Sequence, residues 1–235
     1  MKILLVGYGK MGKIIERIAV ERGHTISGKI DIDNQSDLDT AQADVAIEFS
    51  RPEAAFHNVR KCLERNIPVV CGTTGWLEHK PEIEALCVKM NSAFFYASNY
   101  SLGVNIFFKM NEFLAGIMNS FDECEIVLDE IHHTEKKDAP SGTAITLAEG
   151  ILKHIQHKKL WVNHETDKRE ELPIRSFRID AVPGTHTISY TSPIDTIEIK
   201  HTAHSREGFA KGAVMVAEWI KNKKGVLNMT DYLKF

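Results

Sequence analysis

Short apolar runs and amphipathic stretches alternate along the first hundred residues. Ile3 to Val6 is a continuous apolar run, as expected of a strand buried on both faces, and it breaks at Gly7 before the helical spacing of Ile14, Ile15, Ile18 and Ala19. Gly23 ends that helix, and His24 to Ile30 alternates as a second strand closing at Asp31. Residues 32–43 are polar and acidic, a surface loop or short helix. Val45 to Phe49 predicts a third strand, Ser50-Arg51-Pro52-Glu53 opens a helix to about Arg65, and Val69 to Cys71 is a fourth strand. A helix from about Glu78 to Val88 and a fifth strand from Phe94 to Ala97 complete a strand and helix alternation, the mark of a parallel doubly wound sheet.

From Leu102 the pattern changes. Val104 to Met118 reads as a helix with Phe107, Phe108, Phe113, Leu114 and Ile117 on one side; a strand at 124–131, a loop and a helix from about Ser141 to Ile155 follow. Residues 156–172 are charged and expected to be exposed. Phe177 to Ile179, His186 to Thr191 and Thr196 to His201 alternate between turn signals and predict antiparallel strands, so the second sheet is mixed and offers an open face for self-association. Phe209 to Lys221 is an amphipathic helix most simply returned to the first domain. The fold class is therefore α/β, with domains at 1–101 plus 207–235 and at 102–206, the latter α+β.

The strand, glycine turn and helix at Gly7-Tyr8-Gly9-Lys10-Met11-Gly12 make the first domain Rossmann-like and dinucleotide-binding. Glycine lets backbone amides approach a pyrophosphate, and Gly12 lets the helix pack close to the strand. The spacing is one residue shorter than Gly-x-Gly-x-x-Gly. Asp31, about twenty residues on, stands where such folds place an acid on the adenosine ribose; it accepts from two hydroxyls and repels a 2′-phosphate, which favours NADH over NADPH. The alternative is a carboxylate that merely ends a strand. Lys10 and Lys29 are able to screen a phosphate, so dual use stays open.

The chain's densest proton chemistry lies in Glu130-Ile131-His132-His133-Thr134-Glu135-Lys136-Lys137-Asp138-Ala139-Pro140-Ser141-Gly142-Thr143. Imidazoles titrate nearest neutrality, and a neighbouring lysine serves as a cation or, desolvated, as an acid. Pro140 and Ser141 read as helix-start residues, which leaves the amides of Gly142 and Thr143 pointing outward as a carboxylate seat. A solvated surface loop is the plainer reading of the same residues. Ser141 lacks the Gly-x-Ser-x-Gly elbow of a hydrolase nucleophile and is read as a cap.

Composition narrows the choices. The 235 residues are 43% hydrophobic and 26% charged with a formal net charge of -3, an ordinary globular balance with no general pull toward nucleic acid or anionic membrane. The four cysteines form no Cys-x-x-Cys pair and read as buried thiols of a reducing compartment. With only four apolar residues before Gly7 and no membrane-length run, cytoplasmic residence is expected. His154-x-x-His157 and His201-x-x-His204 have ligand-like spacing, but no cysteine or glutamate completes either pair, so no metal site is expected. Arg206 is open to two roles, clamping a carboxylate or making an interdomain ion pair.

The string His132-His133-x-x-Lys136-x-Asp138-Ala139-Pro140-Ser141-Gly142-Thr143-Ala144 resembles the signature of the 4-hydroxy-tetrahydrodipicolinate (dihydrodipicolinate) reductases. The likeness runs the full length, through Gly72-Thr73-Thr74-Gly75, Ala97-Ser98-Asn99-Tyr100-Ser101 and the Ser205-Arg206 segment. It implies NAD(P)H-dependent reduction of 4-hydroxy-tetrahydrodipicolinate to tetrahydrodipicolinate, with loss of water, in the diaminopimelate route to lysine. It implies that His132 exchanges a proton, Lys136 donates one, and His133, Gly142 and Thr143 bind the dicarboxylate. Gly72, Thr73, Thr74, Ala97, Ser98, Asn99 and Tyr100 would contact the nicotinamide half of the cofactor. It further implies that residues 102–206 bind substrate and assemble a homotetramer. Two departures bear on the cofactor: Lys10 replaces the usual arginine of the glycine turn, and Ile32 stands where NADPH-using members often keep an arginine. A third, Arg178-Ile179-Asp180-Ala181-Val182-Pro183-Gly184-Thr185-His186, is expected to alter a strand edge and oligomer contacts rather than chemistry.

Overall fold

Alternate residues of each early strand enter two different cores, and this builds the first unit. A computed structural model describes residues 1–205 and 207–234. Its contacts divide into two compact units, Met1–Leu102 with Glu207–Phe235, and Gly103–Arg206. In the first, β1 (Lys2–Val6), β2 (Thr25–Ile30), β3 (Val45–Glu48), β4 (Val69–Cys71), β5 (Ala93–Tyr96) and β11 (Gly225–Leu227) form a parallel sheet in the order β11-β5-β4-β3-β1-β2. Ile3, Leu5, Ile47, Val70 and Phe95 pack against α1 (Lys10–Glu21) and α6 (Glu207–Ile220). Leu4, Val6, Ala46, Val69, Cys71 and Phe94 pack against α2 (Pro52–Glu64) and α3 (Lys80–Lys89). Covering both faces requires strands apolar at every position, as β1 and β3 nearly are.

The strand order reverses between β3 and β1, so the carboxyl ends of those two strands diverge into a crevice, the usual ligand position of an open parallel sheet. The three-residue β11 and the following α7 (Met229–Leu233) were not foreseen from the sequence.

In the second unit, α4 (Leu102–Met118) and α5 (Gly142–His154) cover one face of a five-stranded sheet ordered β10-β9-β6-β8-β7. The strands are β6 (Glu125–His132), β7 (Leu160–Val162), β8 (Glu171–Arg178), β9 (Gly184–Thr191) and β10 (Thr196–Ala203). Phe107, Leu128, Leu147, Ile151, Leu172, Ile174, Ile188 and Tyr190 form its core. The sheet is mixed, but two expectations change. The strand foreseen at Phe177 starts six residues earlier and runs parallel, not antiparallel, to β6 and β7. The 156–172 stretch is not wholly exposed, since Lys158 and Glu171 are buried and β7 lies within it. Among the described residues no helix is long and apolar enough to cross a membrane.

Candidate active site

The crevice of the first unit is a cleft of about 240 Å³ lined by Gly7, Tyr8, Gly9, Asp31, Ser50 and Arg51 among others. Its glycines have distinct physical reasons. Gly7 sits at φ +93°, and a Cβ there would stand 2.1 Å from the Phe49 carbonyl oxygen; one on Gly12 would stand 2.4 Å from the carbonyl oxygen of Gly7. Gly9, the N-cap of α1 with no side-chain cap, has nothing within 4 Å of its would-be Cβ. Two glycines are therefore required by packing and one faces open space where amides are accessible, the arrangement a pyrophosphate needs. Lys10 and Met11 open the helix beside it.

Asp31 lines the same cleft, and its Oδ1 accepts from the amide of Ile32 at 2.9 Å, capping the 3-10 turn Ile32–Asp39. Lys29, one of the two lysines left open as a phosphate screen, is 2.7 Å from Glu16 and stacked over the Tyr8 ring, whose hydroxyl also contacts Glu16. Arg51 is the cation on the cleft wall. Sequence reading took it only as part of a helix start; its place at the end of β3 beside the switch point was the available signal.

At the neighbouring strand ends, a Cβ on Gly72 would lie 2.2 Å from the Phe49 ring, and Thr73 Oγ1 accepts from the Ser50 amide at 2.9 Å. Thr73 thus pins the loop while Thr74 is exposed. Asn99 Oδ1 accepts from the Ser101 amide, Ala97 is nearly buried and Ser98 is exposed. The Tyr100 side chain is enclosed, its hydroxyl donating to the Cys71 carbonyl at 2.8 Å and its ring against Phe49 and Phe95. Only its backbone is left to meet a ligand.

The second unit gathers the histidine chemistry at the end of β6. Register sets it: His132 is the parallel partner of Arg178 on β8, and Glu130 the antiparallel partner of His186 on β9. Nδ1 of His132 is 2.6 Å from Oε2 of Glu130, whose side chain is wholly buried, and Nη2 of Arg178 donates to Oε1 at 2.9 Å. Burial opposes ionisation of Glu130, but the contacts from His132, Ser176, Arg178 and Ser141 outweigh it and hold the carboxyl below the usual range. The His186 ring meets that of His132 edge-on with centroids 5.1 Å apart, and burial, aided by the nearby His132, pushes its pKa down to about 3.

Lys136 is half-buried and pairs with Asp138 at 2.8 Å, which lowers the Asp138 pKa. Arg178 also donates to the carbonyls of Lys136 and Asp138, at 3.3 and 2.6 Å, so one guanidinium fastens the lysine loop to the carboxylate beside His132. Ser141 caps α5, accepting from the Ala144 amide at 3.2 Å, and shares a 3.1 Å hydrogen bond with Nε2 of His186. A Cβ on Gly142 would meet nothing within 4 Å, so the start of α5 is open; Thr143 and His133 are half-buried. His132, Lys136 and the α5 start are thereby joined through Arg178 and His186, two residues the sequence reading left out of the site.

Donor atoms of Glu130, His132 and His186 lie within 4.8 Å of one another, a grouping that residue spacing concealed. His201 of the earlier candidate pair lies against Phe107. Arg206 lies outside the described residues.

Residues 1–100 match the family model described as dihydrodipicolinate reductase, N-terminus, and residues 103–233 the one described as dihydrodipicolinate reductase, C-terminus. The chain is 51% identical over 234 residues to a 4-hydroxy-tetrahydrodipicolinate reductase of Christiangramia forsetii, covering 99% of this chain and 98% of the relative. It is 34% identical over 253 aligned positions to one from Archaeoglobus fulgidus, with 96% of each covered. In fold it is similar to the dipicolinate-bound dihydrodipicolinate reductase of Paenisporosarcina sp. TG-14, with TM-score 0.79, 20% identity and 99% of each chain covered.

Proposed function

This chain belongs to the dihydrodipicolinate reductase family, and we propose that it reduces 4-hydroxy-tetrahydrodipicolinate to tetrahydrodipicolinate in the diaminopimelate route to lysine. One substrate, one NAD(P)H and one proton give tetrahydrodipicolinate, NAD(P)⁺ and water. A bound reduced nicotinamide supplies the hydride. The observation that carries the reading is the convergence of His132, Lys136 and the open start of α5 through Arg178 and His186.

The residues present fit the cofactor, because open space at Gly9 coincides with packing-enforced glycines at positions 7 and 12. Gly7, Tyr8, Gly9, Lys10, Met11 and Gly12 hold the pyrophosphate end and Asp31 the adenosine ribose. Gly72, Thr73, Thr74, Ala97, Ser98, Asn99 and the Tyr100 backbone hold the nicotinamide half. NADH is preferred: the Asp31 carboxylate repels a 2′-phosphate and Lys29 is already paired with Glu16.

His133 and the amides of Gly142 and Thr143 bind the carboxylates, for which the N-terminal end of a 13-residue helix supplies partial positive charge. His132 exchanges a proton with the substrate and Lys136, held near the site by Asp138 and the Arg178 contacts, is the second acid of the pair; one of the two delivers the single net proton that the reaction consumes. Apolar residues exposed on the second unit, including Phe177, Ile179 and Ile197, support self-association into a homotetramer. Four free cysteines, three of them buried, support a reducing compartment such as the cytoplasm.

The direct test follows NADH and NADPH oxidation with the freshly made condensation product of pyruvate and aspartate semialdehyde. Substrate-dependent oxidation is expected, faster with NADH at limiting cofactor. No oxidation with either cofactor would sink the assignment.

A further inference from the structure

The buried carboxylate beside His132 has a job that its neighbours define. Glu130 is 0% exposed, on the central strand of its sheet, and a charge there is costly unless its partners repay the lost hydration. Arg178 engages Oε1 at 2.9 Å, and Nδ1 of His132 lies 2.6 Å from Oε2. Nδ1 itself is fully enclosed, so the only ring nitrogen that a ligand meets is Nε2.

Packing fixes the ring from its other sides. A Cβ on Gly184 would stand 3.0 Å from Nε2, so the backbone of β9 passes as close as a residue without a side chain allows. His186 presses edge-on, and burial keeps it neutral. The groups facing His132 are thus Glu130 on its own strand, Arg178 from β8 and neutral His186 from β9; Lys136 and Asp138 belong to the loop that Arg178 ties down, and His201 on β10 influences His186.

A metal ion is a poorer account of the same trio. Tetrahedral ligands at 2.0–2.1 Å from zinc stand ~3.3 Å apart. The 2.6 Å between Glu130 Oε2 and His132 Nδ1 is shorter than that; the ring N–H lies out of line with the carboxylate as the ring stands, but neither enclosed atom has another hydrogen-bond partner, so a small turn of the ring that lets them share a proton satisfies both.

We propose that Glu130 is a positioning residue: its carboxylate, anchored by Arg178, holds the His132 ring with Nδ1 protonated and turned inward, leaving Nε2 to exchange the proton with substrate. This rests on reading His132 as the proton-exchanging imidazole. A carboxylate at Nδ1 selects one tautomer and stabilises the imidazolium when it forms, whereas an unsupported ring distributes its proton over both nitrogens.

The test is a double-mutant cycle of Glu130→Gln and His132→Gln in the full-length enzyme, with kcat, KM, the pH profile of kcat and nitrogen NMR of imidazole-labelled protein. Glu130→Gln should lower kcat at least about tenfold, less than the ~10²–10⁴-fold expected for loss of the imidazole, with KM unchanged. The Nδ1-protonated signal of His132 should give way to a tautomer mixture. In the His132→Gln background, Glu130→Gln should cost nothing further. Glu130→Gln strands the Arg178 charge, so if that variant unfolds, Glu130→Asp, which keeps a carboxylate for Arg178 but draws it back from Nδ1 by one methylene, replaces it in the cycle.

Wild-type rate and tautomer in a folded Glu130 variant, or an equal further loss in the His132→Gln background, would overturn the positioning role while leaving His132 as the acid. Wild-type turnover by His132→Gln would remove the reading beneath it as well. Stoichiometric zinc uptake that depends on Glu130 and raises the rate would overturn it in favour of a metal.

Discussion

Gly9→Ala separates binding from folding. Its Cβ meets no heavy atom within 4 Å beyond its chain neighbours and its backbone is extended, with φ -76° and ψ -156°, so the fold should tolerate the change, the unfolded-chain gain of roughly 0.4–1 kcal/mol offsetting the small strain of that ψ. The same methyl fills space that a pyrophosphate must enter to reach the α1 amides. Displacing the phosphate far enough to lose one charge-assisted hydrogen bond costs about 1.5–3 kcal/mol, a factor of roughly ten to a hundred in Kd. Gly12→Ala is the control, because its Cβ would stand 2.4 Å from the Gly7 carbonyl oxygen and overpacking of that kind costs typically 1–3 kcal/mol or more. Thermal melts and fluorescence titration with NADH on both variants distinguish the two effects. Gly9→Ala should keep or raise Tm and weaken NADH, whereas Gly12→Ala should lower Tm. Undiminished NADH affinity in Gly9→Ala would refute the claim that the open side of the glycine turn is the phosphate seat.

Three other outcomes are expected. Lys136→Ala should cut the single-turnover rate by roughly two to four orders of magnitude without changing NADH affinity, and a wild-type rate would remove Lys136 from the chemistry. Asp31→Ala should raise the NADPH to NADH ratio of kcat/KM; an unchanged ratio would leave Asp31 as only the cap of the turn it begins. His186, with a folded pKa of about 3 against an unfolded value near 6.5, stabilises the fold fully above the unfolded value. That stability is lost as pH falls from about 6.5 toward 3, at a limiting slope of about 1.4 kcal/mol per pH unit. Denaturant titrations between pH 7 and 5.5, above the range where the unfolded Glu130 protonates, should show a steeper fall for the wild type than for His186→Gln, and parallel curves would mean that His186 is not held neutral.

The parts of this chain legible in advance are those whose physics is local. Strands buried on both faces must be apolar at successive positions, so Ile3 to Val6 and Val45 to Ile47 declare themselves, and a glycine turn or a histidine loop is contiguous by nature. Three-residue strands such as β7 and β11 are too short to display a period. The opening of β8 hides for a different reason: Glu171 and Pro173 interrupt its apolar residues although all four positions from 171 to 174 are buried. Lys158 compounds the disguise, a buried lysine whose ammonium donates to the Glu171 carbonyl at 2.7 Å.

The surroundings of His132 were illegible because no local signal ties Glu130 to residues 48 and 56 positions later. Pairing with β8 and β9 supplies Arg178 and His186, and it follows that the altered 178–186 segment reaches the imidazole environment rather than only a sheet edge. The same geometry explains how an exposed loop can carry chemistry that demands fixed positions. His132 is the last residue of the central strand, so its backbone is held by ladders on both sides before the loop begins. Lys136 lies beyond the ladder, and its position depends on Arg178, which donates to the loop carbonyls from a strand clamped in register opposite His132. Misplacing an acid by an ångström is costly to rate even when the residue itself is retained. A guanidinium that binds the Glu130 carboxylate and the loop at once is therefore the element that turns two separately tethered groups into one site.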